Sequence, residues 1–182
     1  MNSRHSTGEK AIFFDRDGTL MKDVVYCSNP ENVELLEDVG KLLPKLKAAG
    51  FKIVIVTNQS GIGRGYFTEE DFWAVQHELE EQLGPGVIDG TYFCADTPQN
   101  GSGRRKPNPG MLLEAARELG IDLTRSYMVG DKASDTEAGR RAGVRATILF
   151  GGNTASGAPE SGATATLVAK EFTEVVEFIL GD

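Results

Sequence analysis

The sequence reads Ala11-Ile-Phe-Phe-Asp-Arg-Asp-Gly-Thr-Leu20 close to its start, a short apolar run that ends at two carboxylates one residue apart. Such a run predicts a buried strand, and residues i and i+2 of an extended chain point the same way, so Asp15 and Asp17 can face one ligand. Two adjacent carboxylates repel each other unless a cation lies between them or one of them holds a proton. The pair therefore indicates a metal site or acid/base chemistry, although a solvated turn or a calcium loop has the same pattern.

Apolar runs and amphipathic stretches alternate along the rest of the chain. Runs of strand-forming residues lie at 51–56, 90–94, 127–129 and 145–150, with helical periodicity between them, and a short strand and a last helix close the chain. The strands are apolar on both faces, as expected for a parallel sheet that helices cover on both sides. We therefore predict an α/β fold with a doubly wound, Rossmann-like parallel sheet.

Length and composition favour one domain. A chain of 182 residues with 40% hydrophobic content is long enough for one complete hydrophobic core and too short for two. We predict a mobile polar tail over residues 1–10 and a single domain over residues 11–182. A stretch rich in Gly, Ala and Ser predicts a flexible connector over residues 153–164.

The charge and cysteine content limit the possible partners. A net charge of −8 opposes binding to nucleic acid or to anionic membrane, because both need a cationic surface. No apolar stretch approaches the ~20 residues of a membrane span, and residues 1–10 lack the apolar core of a signal peptide. Cys27 and Cys94 alone provide no disulfide framework. We expect a monomer in the cytoplasm.

Polar residues follow three of the predicted strands. Ligands of doubly wound sheets bind outside the carboxyl ends of the strands, so Asp15, Thr57 and Asp131 should converge on one site. Carboxylates near the cations Arg105 and Lys106 suggest a metal bound beside a phosphoryl group. Oxygen ligands with room for water favour Mg²⁺.

The chain resembles the haloacid dehalogenase (HAD) superfamily of phosphotransferases at four motifs. These are Asp-Arg-Asp-Gly-Thr at 15–19, Thr-Asn at 57–58, Lys-Pro at 106–107 and Gly-Asp-Lys-Ala-Ser-Asp at 130–135. The resemblance covers about residues 10–152 and implies a HAD-like fold. It also implies an aspartyl-phosphate intermediate on Asp15, with Asp17 protonating the leaving oxygen and then activating water.

The resemblance assigns further roles by position. Thr57 and Lys106 would hold the phosphoryl oxygens. Asp15, Asp131 and the Asp17 carbonyl would bind Mg²⁺, with Asp135 behind these ligands. The expected substrate contacts are Asp23, Tyr26, Asn58, Gln59, Ser60, Arg105 and Lys132.

Within this superfamily, the stretches 57–65, 105–111 and 127–132 most resemble the D-glycero-D-manno-heptose bisphosphate phosphatases and the histidinol-phosphate phosphatases. That group usually carries a zinc loop of Cys-x-His and Cys-x-Cys. Here Cys94 stands at the first ligand position, but Asp96, Ser102 and Arg104 occupy the others. A single thiolate cannot form a tetrahedral site, so we expect no zinc and a loop that zinc does not anchor.

The segments between the motifs are too short for an inserted cap domain. We therefore expect an open site whose specificity comes from the loops 21–30 and 95–105. The predicted activity is Mg²⁺-dependent hydrolysis of a small phosphorylated metabolite, with a heptose 1,7-bisphosphate favoured. Histidinol-phosphate phosphatase and polynucleotide 3′-phosphatase are alternatives, and the acidic charge opposes the second. A receiver-like signalling module is a non-enzymatic alternative, which the additional acid/base group Asp17 disfavours.

Overall fold

The structure is a computed structural model that describes residues 8–151 and 165–182. Residues 1–7 of the predicted tail and the whole predicted connector over 153–164 lie outside the described residues. Residues 8–10 already contact the rest of the chain, because the backbone N–H of Glu9 donates to the carbonyl of Gly120 and the N–H of Asp122 donates to the carbonyl of Glu9.

Six parallel strands form one sheet in the order β3-β2-β1-β4-β5-β6. The central strand β1 pairs with β2 on one side and with β4 on the other. Strand order reverses at β1, and such a switch point is where doubly wound sheets bind ligands. The predicted fold class is confirmed. The strands are β1 (Ala11–Phe14), β2 (Lys52–Asn58), β3 (Gly90–Cys94), β4 (Tyr127–Gly130), β5 (Ala146–Phe150) and β6 (Leu167–Ala169).

Five longer helices cover the two faces of the sheet, and one short helix follows β2. In chain order they are α1 (Val39–Ala48), α2 (Ser60–Gly63), α3 (Glu69–Leu83), α4 (Gly110–Leu119), α5 (Ala133–Ala142) and α6 (Phe172–Gly181). Buried residues of α1, α3 and α6 share one core cluster, and those of α4 and α5 share the other.

The central strand contributes to both cores. Phe14 lies in the cluster with α1, α3 and α6, whereas Phe13 lies in the cluster with α4 and α5, and both side chains are fully buried. Truncating a buried Phe to Ala typically costs about 3–5 kcal/mol. Packing on both faces therefore fixes the end of β1, which carries the two carboxylates.

Helix α3 begins at a capping box. The Thr68 hydroxyl accepts from the Asp71 N–H at 3.2 Å, and the Asp71 carboxylate accepts from the Thr68 N–H at 2.8 Å. These bonds satisfy donors that the first helical turn leaves free. They also fix the first turn of α3, which places the buried ring of Phe72.

The connections that could hold a cap contain only single turns of 3₁₀ helix. Pro30–Asn32 is the turn between β1 and α1, and Pro98–Asn100 is the turn between β3 and α4. The predicted absence of an inserted cap is therefore confirmed for these two connections. None of the helices in the described ranges has both the length and the apolar character required to cross a membrane.

Candidate active site

The carboxyl ends of β1, β2 and β4 bring their polar residues together. Asp15 follows β1, Thr57 is the penultimate residue of β2, and Asp131 follows β4. A small cavity of ≈ 50 Å³ opens at this edge. Its lining residues are Asp15, Asp17, Thr57, Asn58, Lys106, Lys132, Ser134 and Asp135.

Lys106 is the buried cation of this site. Its ammonium group donates to Asp15 Oδ1 at 2.8 Å and to the Val56 carbonyl at 2.7 Å, and it lies 2.6 Å from Asp135 Oδ1. Burial alone would lower the pKa of Lys106, but the carboxylates of Asp135 and Asp15 outweigh burial and raise it. Lys106 is therefore a permanent cation that neutralises part of the carboxylate cluster.

Three carboxylates form a group that could hold a metal ion. Asp15, Asp131 and Asp135 each offer an oxygen, and these atoms lie within 4.8 Å of one another. Asp131 Oδ1 is buried and has no hydrogen-bond partner among the described residues. Burial and the charge of Asp15 raise the pKa of Asp131 to about 7. A buried oxygen without a partner, between like charges, fits a divalent cation.

Asp135 is engaged on both of its oxygens. Oδ1 contacts the Lys106 ammonium, and Oδ2 accepts from the Lys132 backbone N–H at 3.0 Å. Burial, with the charge of Asp15, raises the pKa of this carboxyl, and Lys106 opposes the rise. These contacts agree with the expected position of Asp135 behind the metal ligands. That position stays a prediction.

Two glycines allow the carboxylates to approach the backbone. Gly18 has a φ of +83°, and a Cβ built there would lie 2.5 Å from Asp131 Oδ2. A Cβ built on Gly130 would lie 2.3 Å from the Asp135 side chain. Only glycine fits at these contacts without displacing a carboxylate.

Asp17 points to a different set of partners. Its carboxylate accepts from Gln59 Nε2 at 2.9 Å and from Arg16 Nε at 3.1 Å. It is not part of the three-carboxylate group. A ligand role for Asp17 therefore depends on its backbone carbonyl, as the resemblance implied, and stays a prediction.

Asn58 uses its side-chain amide on the backbone of Lys106. Its Nδ2 donates to the Lys106 carbonyl at 3.1 Å, and its Oδ1 accepts from the Lys106 N–H at 3.1 Å. This reciprocal pair places Lys106 opposite the end of β2. Contact between Asn58 and substrate, as predicted, remains untested.

Gln59 connects Asp17 with Thr57. Its Nε2 donates to Thr57 Oγ1 at 2.8 Å as well as to Asp17, and the side chain is buried. This network holds the Thr57 hydroxyl at the small cavity. The next residue, Ser60, does not line this cavity but lines a larger cleft.

That larger cleft, of ≈ 600 Å³, adjoins the small cavity. Arg105 and Lys132 both line it. Asp23 and Tyr26 are exposed and do not line it. Asp23 lies 3.8 Å from the Lys132 ammonium, and the ring centroid of Tyr26 lies 4.8 Å from that of Tyr66. The lining residues of the cleft are Asn58, Ser60, Pro98, Gly101, Arg105, Lys106, Pro107, Asn108, Lys132 and Ser134.

Hydrogen bonds order the loop that lacks the zinc ligands. The Asp96 carboxylate accepts from the Ser102 N–H at 3.0 Å, and the Asp96 carbonyl accepts from Arg105 Nη1 at 2.7 Å. The guanidinium of Arg104 donates to the Phe93 carbonyl at 3.0 Å. Whether this loop is ordered without zinc could not be decided from the sequence, and in the structure its own polar groups hold it.

Two residues of the site were not predicted from the sequence. Ser134 lines both the small cavity and the larger cleft, although it belongs to a quoted motif. Arg16 is fully buried beside Asp17, whereas a charged residue in an acidic turn normally indicates solvent exposure. Its position within the first motif was the available signal.

Known proteins resemble this chain in sequence and in structure. Residues 103–175 match the HAD-hydrolase-like family. A D-glycero-alpha-D-manno-heptose-1,7-bisphosphate 7-phosphatase of Burkholderia mallei is 38% identical over 181 residues, covering 94% of each chain. A D-glycero-beta-D-manno-heptose-1,7-bisphosphate 7-phosphatase of Helicobacter pylori is 38% identical and covers 93% of this chain and 97% of its own length.

A crystal structure extends the similarity. The D,D-heptose 1,7-bisphosphate phosphatase of B. bronchiseptica, complexed with magnesium and phosphate, superposes with a TM-score of 0.82 at 31% identity, covering 94% of this chain and 98% of its own. Fold and strand-end carboxylates together define a phosphatase of the HAD-like class. The chain belongs to the same family as these heptose-1,7-bisphosphate 7-phosphatases.

Proposed function

We propose that this enzyme removes one phosphate from a heptose 1,7-bisphosphate, through an aspartyl-phosphate on Asp15 and with Mg²⁺ as cofactor. The observation that carries the proposal is the position of Asp15 between the Lys106 ammonium and the Asp131 carboxylate, at the centre of the switch point. The names of the relatives support position 7 as the hydrolysed phosphate.

The chemistry has two displacement steps at one phosphorus atom. A carboxylate oxygen of Asp15 attacks phosphorus, the bond to the sugar oxygen breaks, and Asp17 gives that oxygen a proton. Asp17 then takes a proton from water as the water oxygen attacks phosphorus, which breaks the bond to Asp15. Inorganic phosphate and the starting enzyme result.

The residues present fit the metal that this chemistry needs. Asp15 and Asp131, with the Asp17 carbonyl, would hold Mg²⁺. A divalent cation there supplies positive charge that offsets the repulsion between Asp15 and an incoming phosphate. Lys106 adds a fixed cation on the other side of Asp15, but it must exchange one of its three contacts to reach a phosphoryl oxygen.

The larger cleft offers cations for a second phosphate. Arg105 and Lys132 line it beside the small cavity, and one guanidinium nitrogen of Arg105 bonds to the Asp96 carbonyl. The transferred phosphoryl group is served by Mg²⁺, Thr57 and Lys106, so these two cations exceed what one phosphate requires. We propose that they bind the phosphate that is not hydrolysed.

The proposal extends to the setting of the reaction. The strongly negative net charge supports a free small metabolite as substrate, rather than nucleic acid or an anionic membrane. We further propose that the enzyme acts as a monomer in the cytoplasm. Gel filtration at several concentrations tests the monomer.

The first experiment is turnover by wild type and by Asp15→Asn. The neutral amide is not a competent nucleophile, so the variant should lose at least about 1,000-fold in phosphate release from the bisphosphate while keeping its circular-dichroism spectrum and unfolding temperature. A panel of phosphorylated metabolites, with both anomers of the heptose bisphosphate, identifies the substrate by initial rate. Substantial residual turnover in Asp15→Asn would contradict the mechanism.

The second experiment separates the two phosphates. A charge-assisted hydrogen bond contributes on the order of 1.5–3 kcal/mol, so Arg105→Ala should lower kcat/KM for the bisphosphate by roughly ten- to a hundredfold. The loss for p-nitrophenyl phosphate, which has no second phosphate, should be much smaller. The matched control is Arg117→Ala on the exposed surface of α4. Equal losses on both substrates would place Arg105 at the transferred phosphate and remove the argument for a bisphosphate.

A further inference from the structure

The guanidinium of Arg16 is completely buried next to the acid/base residue. Its side chain has 0% exposure, and its Cζ lies 5.0 Å from the ring centroid of Phe72 in α3. Nε donates to Asp17 Oδ2 at 3.1 Å, and Nη2 donates to Asp17 Oδ1 at 3.3 Å. The third nitrogen, Nη1, has no hydrogen-bond partner within the described residues.

Packing alone does not account for a charge at this place. A buried charge is unfavourable unless it is paired, and an apolar side chain would fill the space above Phe72 without that penalty. In the described part of the chain, the ion pair that Arg16 forms is with Asp17. The arrangement therefore points to a role that acts through Asp17.

The geometry fixes the orientation of the Asp17 carboxylate. Two nitrogens of a planar guanidinium grip both oxygens, which hinders rotation of the carboxylate about its last bond. The ring of Phe72 supports the guanidinium from one side. Gln59 holds the same carboxylate from a second direction and bonds to Thr57, so Asp17 is fixed relative to the phosphoryl site.

We propose that Arg16 is a positioning residue, which holds Asp17 in the orientation needed for proton transfer to and from the reacting oxygen atoms. This inference rests on the proposed phosphatase mechanism but not on the identity of the sugar. A misplaced carboxylate protonates the leaving oxygen poorly, and a poor leaving group suffers most from that loss. Arg16 itself is not among the residues that line the small cavity.

The test uses two substrates that differ mainly in their leaving group. Phenyl phosphate needs its leaving oxygen protonated, whereas p-nitrophenyl phosphate releases a stabilised phenolate. Arg16→Met, which keeps the bulk of the side chain, should lower kcat/KM by on the order of 100-fold for phenyl phosphate. The loss for p-nitrophenyl phosphate should be only a few-fold.

A double-mutant comparison separates positioning from a general structural role. If Arg16 acts through Asp17, Arg16→Met should cost little further activity in an Asp17→Asn background, because the group that it positions is already gone. Arg16→Lys, which keeps the charge without the planar fork, should recover part of the loss on phenyl phosphate. Arg117→Met on α4 is the matched control and should change neither substrate.

The possible outcomes distinguish a failure of the Arg16 inference from a failure of the proposed function. Absence of Asp15-dependent turnover of either aryl phosphate by the wild type would overturn the proposed function itself. With wild-type turnover present, equal losses on the two substrates, or full additivity with Asp17→Asn, would overturn the role of Arg16. If Arg16→Met does not fold, Phe72→Leu removes the supporting ring and must show the same dependence on leaving group, or the inference fails.

Discussion

Lys106 is the residue at which the separate parts of the site meet. Its backbone is paired with Asn58 at the end of β2, and its ammonium contacts Asp15 after β1 and Asp135 in α5. Three elements that are distant in sequence therefore meet at one residue. Because this cation is buried, with 3% exposure, its charge acts on the carboxylates with little screening by water.

At the scale of single residues, the close approach of Gly18 to Asp131 provides a prediction. In Gly18→Ala the new methyl group would collide with Asp131 Oδ2, 2.5 Å away, and displace an expected Mg²⁺ ligand. The Mg²⁺ concentration for half-maximal activity should rise at least about tenfold, a change that corresponds to about 1.4 kcal/mol. Activity measured against Mg²⁺ concentration checks it.

The control separates this collision from backbone strain. Gly86 has a φ of +74° with nothing within 4 Å of a built Cβ, so Gly86→Ala introduces a similar strain of about 1–2 kcal/mol without a collision. It should lower the unfolding temperature and leave the Mg²⁺ requirement unchanged. If both variants show the same Mg²⁺ requirement as the wild type, the steric argument is wrong.

Some residues of the site could be predicted from the sequence, and others could not. Asp15, Thr57 and Asp131 stand directly at the ends of apolar strands, a position that defines their neighbours in any doubly wound sheet. The partners of Asn58 and Arg16 depend on the directions of their side chains. Asn58 also contacts Lys106, which lies 48 residues away in the sequence. Local sequence contains no information about such a contact.

At the scale of elements, hydrophobic periodicity located the strands and the longer helices. It did not predict α2, because Ser60–Gly63 has no apolar period. This turn is instead fixed by its surroundings, since the N–H of Gln59 donates to the Cys94 carbonyl and the N–H of Tyr66 donates to the Gly61 carbonyl. Hydrogen bonds of this kind, one of them to a distant strand, define this glycine-containing segment, and periodicity does not detect them.

The loop 95–105 provides a prediction at this scale. Asp96→Ala removes the acceptor of the Ser102 N–H, so the loop should open more often. Trypsin cleaves after arginine, and Arg104 and Arg105 lie at the end of this loop. The variant should be cut there several times faster than wild type, with little change in unfolding temperature. A rate equal to that of the wild type would show that Asp96 does not hold the loop.

At the scale of the whole molecule, burial of acidic groups around one site should make the proposed Mg²⁺ important for stability. The metal-free protein has Asp131 with a pKa of about 7, raised by burial and by Asp15. The folded chain thus binds this proton more tightly than the unfolded chain does. Stability of the metal-free protein should therefore fall as the pH rises from about 4 to about 7.

Mg²⁺ should reverse this trend, because it binds the ionised carboxylate. We expect Mg²⁺ to raise the unfolding temperature more at about pH 8 than at about pH 5, where protons compete for Asp131. Thermal unfolding in EDTA and in Mg²⁺ at the two pH values checks this. Asp131→Asn should remove most of the difference, and an equal Mg²⁺ effect at both pH values would count against Asp131 as a ligand.

The short connections after β1 and β3 have a consequence for the history of the enzyme. The groups proposed for the chemistry lie at strand ends and on a buried lysine, whereas the cations proposed to bind the second phosphate, Arg105 and Lys132, line the larger cleft outside the core. Mutation can therefore replace residues of the larger cleft one at a time while phosphoryl transfer continues. A duplicated gene of this family has a direct route to a new metabolite, because it does not have to acquire or remodel a lid.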